Sequence, residues 1–581
     1  MTQAYFNVSS SLTGRRWLGP SIDQDRLAEA IAQATGHPRA LCQVLARLGV
    51  PPEETELYLA PSLRETMPDP KSLKDMDIAA RRIVRAVQTK ERIAVFADYD
   101  VDGAASGALL VDWFRHFGNQ ITAYVPDRID EGYGPNTPAI EHLSASHDLL
   151  ICVDCGTLSH DALAAARCDV IVLDHHLGAE TLPDVTAVVN PNRQDETGEL
   201  SYLCAAGVVF LTLVAANTSL KTSGVQTPNL LDALDIVALA TVADVAPLHG
   251  FNRTLVRQGL RIMAQRKRSG LKALADIARM ETAPRAYHLG FLLGPRINAG
   301  GRVGQADLGL RLLSTTDPAE AEGLAQRLDH LNDERRAIEA DVQAAAIAQA
   351  ETRDRAAALT WAAGDGWHPG VVGIVASRMK ESFNRPSIVI GFDDNEGKGS
   401  GRSVSGIDLG SCIAALAREG LIKKGGGHKM AAGLSLTREQ LAPAMARLSE
   451  MLARQGADQI GPQDLLLDGP LGPQAATIEL LEALETAGPY GVGAPTPRFA
   501  VPYVRVGFAR RVGETHLQAS FRDDTGSTLE AIAFKAFEGP LGKAIEDHAG
   551  AVLHVAGRIE IDEWQGRRKP KLRLEDAALA E

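Results

Sequence analysis

A chain of 581 residues is too long for one hydrophobic core, and three or four domains are the expectation. Apolar (45%) and charged (23%) fractions are ordinary for a soluble globular protein. No apolar run is long enough to span a bilayer and Met1-Thr2-Gln3-Ala4-Tyr5 lacks a basic-then-apolar secretory pattern, which predicts a cytoplasmic protein with no membrane role. The net charge of -13 and pI near 5.7 exclude a globally basic nucleic-acid binder but leave room for a local basic groove.

Residues 1–74 read as a helical lead-in with proline breaks at Pro51-Pro52, Pro61, Pro68 and Pro70. From 75 to 315, short apolar runs alternate with helical patterns. Strands are expected at Ile93–Ala97, Leu149–Val153, Val170–Leu173 and Val185–Val189, and helices at Ala104–Phe117, Ser159–Arg167, Cys204–Ala216 and Leu230–Val245. That alternation predicts a parallel α/β sheet with its ligands at the carboxyl ends of the strands. Cys152-Val153-Asp154-Cys155 is formally C-x-x-C, yet there is no second pair to complete a zinc site and the motif crosses a strand end; reduced, buried thiols are the expectation.

Residues 316–354 form one long connecting helix, with Asp317 as N-cap, Pro318 in the first turn and Glu320 completing a capping box. Its apolar stripe is Ala321, Leu324, Leu328, Leu331, Ile338, Val342, Ala345 and Ala348. A second α/β domain occupies 355–460. After Gly461-Pro462 the pattern changes to alternating strands, among them 516–521 and Val552–Ile561, the size of an OB-fold-like β-barrel over 461–581.

Three strand ends in the first sheet carry polar groups. Asp98, Asp100 and Asp102 alternate in Ala97-Asp98-Tyr99-Asp100-Val101-Asp102-Gly103, so an extended chain would turn all three to one side. Asp154 follows Leu149–Val153, and Asp174-His175-His176 follows Val170–Leu173. Asp244 ends an otherwise apolar helical run. Carboxylates this crowded call for a compensating cation, and oxygen ligands favour a hard divalent metal.

This combination resembles the DHH phosphoesterase superfamily and, within it, the bacterial RecJ single-stranded-DNA exonucleases. The resemblance rests on Asp98-Tyr99-Asp100-Val101-Asp102-Gly103, Val153-Asp154-Cys155-Gly156, Asp174-His175-His176 and Ala243-Asp244-Val245. Further along it rests on Gly294-Pro295-Arg296-Ile297-Asn298-Ala299-Gly300-Gly301-Arg302, Gly399-Ser400-Gly401-Arg402-Ser403 and the run 425–433 that begins Gly425-Gly426-Gly427-His428. One departure is Gly300, where alanine is expected. The resemblance implies two Mn²⁺ or Mg²⁺ ions bridged by Asp154, with Asp98 and Asp100 completing one site and Asp102, His175 and Asp244 the other. It places His176 at the scissile phosphate, makes Asp174 an orienting partner of the histidines, and sets the second domain across from the metals.

DNA recognition is assigned to Arg296, Arg302, Arg378, Arg402 and Ser403, to a backbone cradle at Gly426 and Gly427, and to His428 near the reaction. The tail adds Arg505, Arg510, Arg511, Arg522, Arg558, Arg567, Arg568, Lys569, Lys571 and Arg573, interleaved with Tyr503, Phe508, Phe521 and Trp564 as stacking candidates. The implied activity is 5′-to-3′ hydrolysis of single-stranded DNA to 5′-mononucleotides in repair and recombination. The expected enzyme is a monomer supplied by a single-strand-binding protein and a helicase. A small-substrate phosphoesterase for oligoribonucleotides or cyclic dinucleotides would not need the barrel, and a catalytically silent replication scaffold would have lost ligands that are all present.

Overall fold

The computed structural model describes residues 3–580 except 128–130, 133, 355–356, 462, 548–549 and 565–566. Pro462 and the side chain of Trp564 therefore lie outside the described residues. The first sheet is wholly parallel, in the order Ile121–Tyr124, Ile93–Ala97, Leu149–Val153, Asp169–Leu173, Ala187–Val189. Its central strands are unbroken apolar runs because helices cover both faces, and every residue of Ile93–Ala97 and Leu149–Val153 is buried. The edge strand Ile121–Tyr124 escaped sequence analysis because it is half-exposed and carries no such run.

Several helices differ from expectation. Ser159–Arg167 contracts to His160–Leu163. Leu230–Val245 divides into a 3-10 turn, Leu230–Ala233, and an α-helix, Leu234–Ala243, whose C-cap is Asp244. Ala205–Thr222 does reach membrane-spanning length and apolarity, but 67% of its residues are buried inside the protein. It is a core helix, packed beside Met76–Gln88 and Val101–His116.

The long helix runs from Pro318 to Glu351. Asp317 caps it at Ala319, but Glu320 accepts instead from Thr315 and Arg311, so no capping box forms. Its first half buries Leu324, Leu328 and Leu331 in the first domain's core. Its second half buries Val342, Ala346 and Ala350 against Val371, Val372 and Val375 of the helix Pro369–Phe383. Ala345 and Ala348 are exposed: the buried stripe moves when the partner changes. The second domain is a five-stranded sheet, ordered Lys424–His428, Ala431–Thr437, Glu396–Arg402, Ser387–Asp393, Thr360–Asp365.

The tail closes into a barrel because Phe499–Val512 pairs with both His516–Arg522 and Val552–Trp564. The N-terminal lead-in does not stand apart from it. Trp17–Leu18 pairs in parallel with Leu465–Leu466, and Ile31, Leu41, Val44 and Leu45 share one core with Phe499, Val501, Phe521 and Leu553. At roughly 1.5–3 kcal/mol for each buried large aliphatic side chain, these contacts join the two ends of the chain.

Candidate metal centre and active site

Asp98, Asp154, Asp174 and Asn190 each follow the last residue of neighbouring strands. The ladder continues through them: their strand-end N–H groups donate from Asp98 to Val153 O (3.3 Å), from Asp154 to Leu173 O (3.0 Å) and from Asp174 to Val189 O (3.1 Å). Parallel pairing thus sets these side chains in one row at the sheet's carboxyl edge. Asp154 takes a left-handed backbone (φ 59°), followed by Gly156 at φ 112°. Such a residue costs on the order of 1–3 kcal/mol and persists where surroundings enforce it, commonly at functional sites.

The acidic run works differently from the alternation expected of it. The strand stops at Ala97, Asp100 becomes the N-cap of the helix Val101–His116, and Asp102 lies within that helix. Asp100 Oδ1 accepts the N–H of Asp102 (2.8 Å) and of Gly103 (3.1 Å). A Cβ at Gly103 would collide with the Asp98 carbonyl, so glycine permits the tight entry. The three carboxylates converge through a capped turn, not through strand pleat.

Among the described residues the site forms three overlapping groups. Ligand atoms of Asp98, Asp100 and Asp154 lie within 4.8 Å of one another, as do those of Asp102, His175 and Asp244 and those of Asp154, His175 and His176. His175 Nε2 stands 3.3 Å from Asp154 Oδ1, 3.7 Å from Asp102 Oδ2 and 3.8 Å from Asp244 Oδ2, which joins the groups. Asp102 also accepts the N–H of Ala205 (2.7 Å) and Ala206 (2.8 Å), so the first turn of Ala205–Thr222 steadies its charge.

Burial, then the neighbouring carboxylates Asp102, Asp100, Asp98 and Asp244, pushes the Asp154 carboxyl far above the ordinary range. Burial and then Asp102 and Asp100 lift Asp244 to about 9, and burial raises Asp102 against the pull of His175. Without cations, these groups give up their protons less readily than free carboxyls. Five carboxylates and one imidazole, all oxygen and nitrogen donors, fit hard divalent ions. Sulfur takes no part: Cys155 Sγ donates to Val153 O (3.3 Å), and burial pushes its thiol well up. All six cysteines are unpaired, and five are buried.

Asp174 is fully committed elsewhere. Its Oδ1 accepts from the N–H of His175 (2.7 Å) and His176 (3.2 Å) and from His176 Nδ1 (2.8 Å), while Oδ2 accepts from the Thr157 N–H (3.0 Å). Burial opposes its ionisation, but the bonds from His176 and Thr157 prevail and hold the carboxyl well below the usual range. Burial likewise pulls His176 down, yet Asp174, with Asp244 and Asp98 in range, raises it to about 9. Sequence analysis missed the next layer. Asn190 Nδ2 donates to His176 O and to Thr157 Oγ1 (2.8 Å each), and Asn192 Nδ2 donates to His175 O (2.6 Å). The available signal was Asn190-Pro191-Asn192 directly after an apolar run.

Three family models match in order: the DHH family N-terminal domain over 92–241, the DHHA1 domain over 353–454 and the RecJ OB domain over 467–576. The single-stranded-DNA-specific exonuclease RecJ of Escherichia coli (strain K12) is 35% identical over 559 residues, covering 91% of this chain and 96% of the relative. That of Bacillus subtilis (strain 168) is 32% identical over 575 residues, covering 97% of this chain and 71% of the relative. The chain belongs to the RecJ family. The crystal structure of RecJ in complex with Mn²⁺ from Thermus thermophilus has a TM-score of 0.81 at 29% identity, covering 97% of this chain and 79% of that one.

In this RecJ-family chain the helix Gly294–Val303 ties the acidic turn to the DHHA1 domain. Asn298 Oδ1 accepts the Val101 N–H (3.1 Å), and Arg302 Nη1 donates across to Gly370 O (2.9 Å). At Gly300 an alanine Cβ would come 3.1 Å from Gln305 O and 3.2 Å from Leu328, a tight fit that glycine relieves. Arg402 and His428 both align with Ala431, so they share one face of the DHHA1 sheet. On that face Gly426 and Gly433 leave open space where Cβ atoms would stand.

The glycine run is an edge strand, Lys424–His428, and not the loop a cradle suggests. Gly427, at φ 148°, uses backbone that favours glycine, and His428 is exposed. Three expected DNA contacts are otherwise engaged. Arg296 pairs with Asp329 (2.8 Å) and Arg378 with Glu339 (3.7 Å), both on the long helix. The Ser403 hydroxyl is buried and donates to Ile407 O (2.8 Å). In the barrel Phe521 is core, whereas Tyr503, Phe508 and the overlooked Phe534 are exposed. Arg558, Arg568, Lys569 and Lys571 are ion-paired.

Proposed function

We infer that this chain is a Mn²⁺- or Mg²⁺-dependent exonuclease specific for single-stranded DNA. The observation that carries the reading is the pair of three-ligand groups joined at His175 and Asp154 in a RecJ-family chain. Two divalent ions bound there would polarise the phosphodiester and lower the pKa of the attacking water. Asp98, Asp100 and Asp154 would hold one ion and Asp102, His175 and Asp244 the other, with Asp154 beside both. His176, its Nδ1 held by Asp174, which raises its pKa, stands beside the carboxylate cluster and is suited to the phosphate. On the facing DHHA1 sheet, Arg402, His428 and the open glycine backbone receive the strand, and a phosphate stop there sets 5′-to-3′ polarity with release of 5′-mononucleotides. The barrel grips the remaining single strand through Tyr503, Phe508 and neighbouring arginines. A single-strand-binding protein and a helicase supply substrate to a cytoplasmic monomer in repair and recombination.

The test is Mn²⁺-dependent digestion of 5′-phosphorylated single strands, duplexes and dinucleotides. Stepwise release from the 5′ end of single strands is expected. Cleavage restricted to dinucleotides, or release from the 3′ end, would overturn the reading.

A further inference from the structure

An open pocket of about 660 Å³ adjoins the metal-ligand cluster, sharing His175 and Asp244 with it. One wall is aromatic: the His249 ring meets Tyr202 edge-on at 4.6 Å and 82°. Tyr202 is itself anchored, its hydroxyl accepting the Phe251 N–H (3.2 Å) and its carbonyl accepting from Asn252 (2.7 Å). His249 is exposed and, although it occupies the N-cap of Gly250–Met263, its side chain makes no capping bond. The ring is therefore held in place without being needed for the helix.

The remaining lining selects against phosphate. It includes Pro247 and the exposed Val245, with Glu199 and Ser201, and among the described residues no lysine or arginine lines it. A carboxylate there repels a phosphate and accepts from amino groups, as on the edge of a base. The volume lies within the range of small-ligand sites. The rim faces the C-terminal unit, since the Leu248 N–H donates to Val492 O (2.7 Å) and Pro247 lies 3.3 Å from a Cβ placed on Gly493. A strand passing from barrel to metal cluster would cross this pocket.

We propose that the pocket is a nucleobase subsite, in which the base on the barrel side of the scissile phosphate stacks on His249 and offers its polar edge to Glu199 and Ser201. This rests on the single-stranded-DNA reading above; with 5′-to-3′ polarity the base belongs to the second nucleotide from the 5′ end. The site would sense whether that base is unpaired, because a paired base cannot present its face to the ring.

The experiment combines His249→Ala and His249→Phe with 5′-phosphorylated single strands that carry an abasic residue at successive positions. Wild type is expected to lose about tenfold in kcat/KM when the second position is abasic, a modest share of ordinary base–aromatic stacking. His249→Ala should lose about the same on the intact strand and be indifferent to that abasic position, while His249→Phe behaves as wild type. Quenching of a fluorescent base analogue at the second position, read on metal-free protein, should vanish in His249→Ala. An abasic penalty that survives in His249→Ala, or coupling at another position, overturns the assignment. Failure of wild type to degrade any single strand would instead defeat the functional reading and leave the quenching measurement to decide the pocket.

Discussion

Asp174 Oδ1 accepts a 2.8 Å hydrogen bond from Nδ1 of His176 and also holds the backbone N–H groups of both His175 and His176. One carboxylate thereby fixes the tautomer, orientation and charge of the imidazole proposed to face the phosphate. Asp174→Asn keeps the shape but removes the charge. His176 should then titrate well below about 9, toward the ordinary histidine value of about 6.5. An NMR titration of the metal-free protein would show it, and kcat should fall about 10–100-fold with little change in Mn²⁺ affinity. Unaltered His176 titration in the variant would contradict this.

Asp154 belongs to two of the ligand groups and stands 3.3 Å from the His175 Nε2 of the third, and four neighbouring carboxylates oppose its charge. Asp154→Asn suits the left-handed backbone, which asparagine tolerates. Activity should fall by about a thousandfold or more, equivalent to about 4 kcal/mol of transition-state stabilisation. The metal-free variant should melt no lower than metal-free wild type, because asparagine cannot acquire the charge that burial and Asp102, Asp100, Asp98 and Asp244 oppose at this position. Calorimetry alongside the nuclease assay checks both halves.

The same crowding predicts how metal stabilisation depends on pH. Asp154, Asp244 (about 9) and Asp102 titrate above their unfolded values. Between about pH 4, the unfolded carboxyl range, and the raised folded values, the native metal-free protein binds more protons than the unfolded chain. Its stability is therefore greatest below the unfolded pKa and declines as pH rises through the folded ones. Cations displace those protons, so the Tm gain from Mn²⁺ should be small near about pH 5.5 and largest near about pH 8.5. A gain independent of pH would show that the carboxylates are already ionised without metal.

Trp17 is fully buried and its indole N–H donates to Asp576 Oδ2 (2.9 Å), near the other end of the chain. Trp17→Ala should cost about 3–5 kcal/mol through the cavity alone. The loss should appear as earlier denaturant unfolding of the barrel, while Mn²⁺ binding by the DHH domain persists. Unchanged barrel unfolding would argue that the N-terminal segment is dispensable.

Local patterns in the chain already marked the carboxylate-rich cluster at the sheet's edge. Apolar runs ending in Asp98, Asp154 and Asp174 define buried parallel strands, and crowded carboxylates require a counter-charge wherever they meet; both arguments need only neighbours in sequence. The tertiary structure alone decided what depends on distant partners. It turned Asp102 onto a helix held by Ala205 and Ala206, gave Asn190 and Asn192 their place behind the histidines, committed Arg296 and Arg378 to the long helix, and built Trp17 into the barrel. A side chain's periodicity says which face it occupies, but its partner is chosen by packing between segments whose separation leaves no trace in local composition.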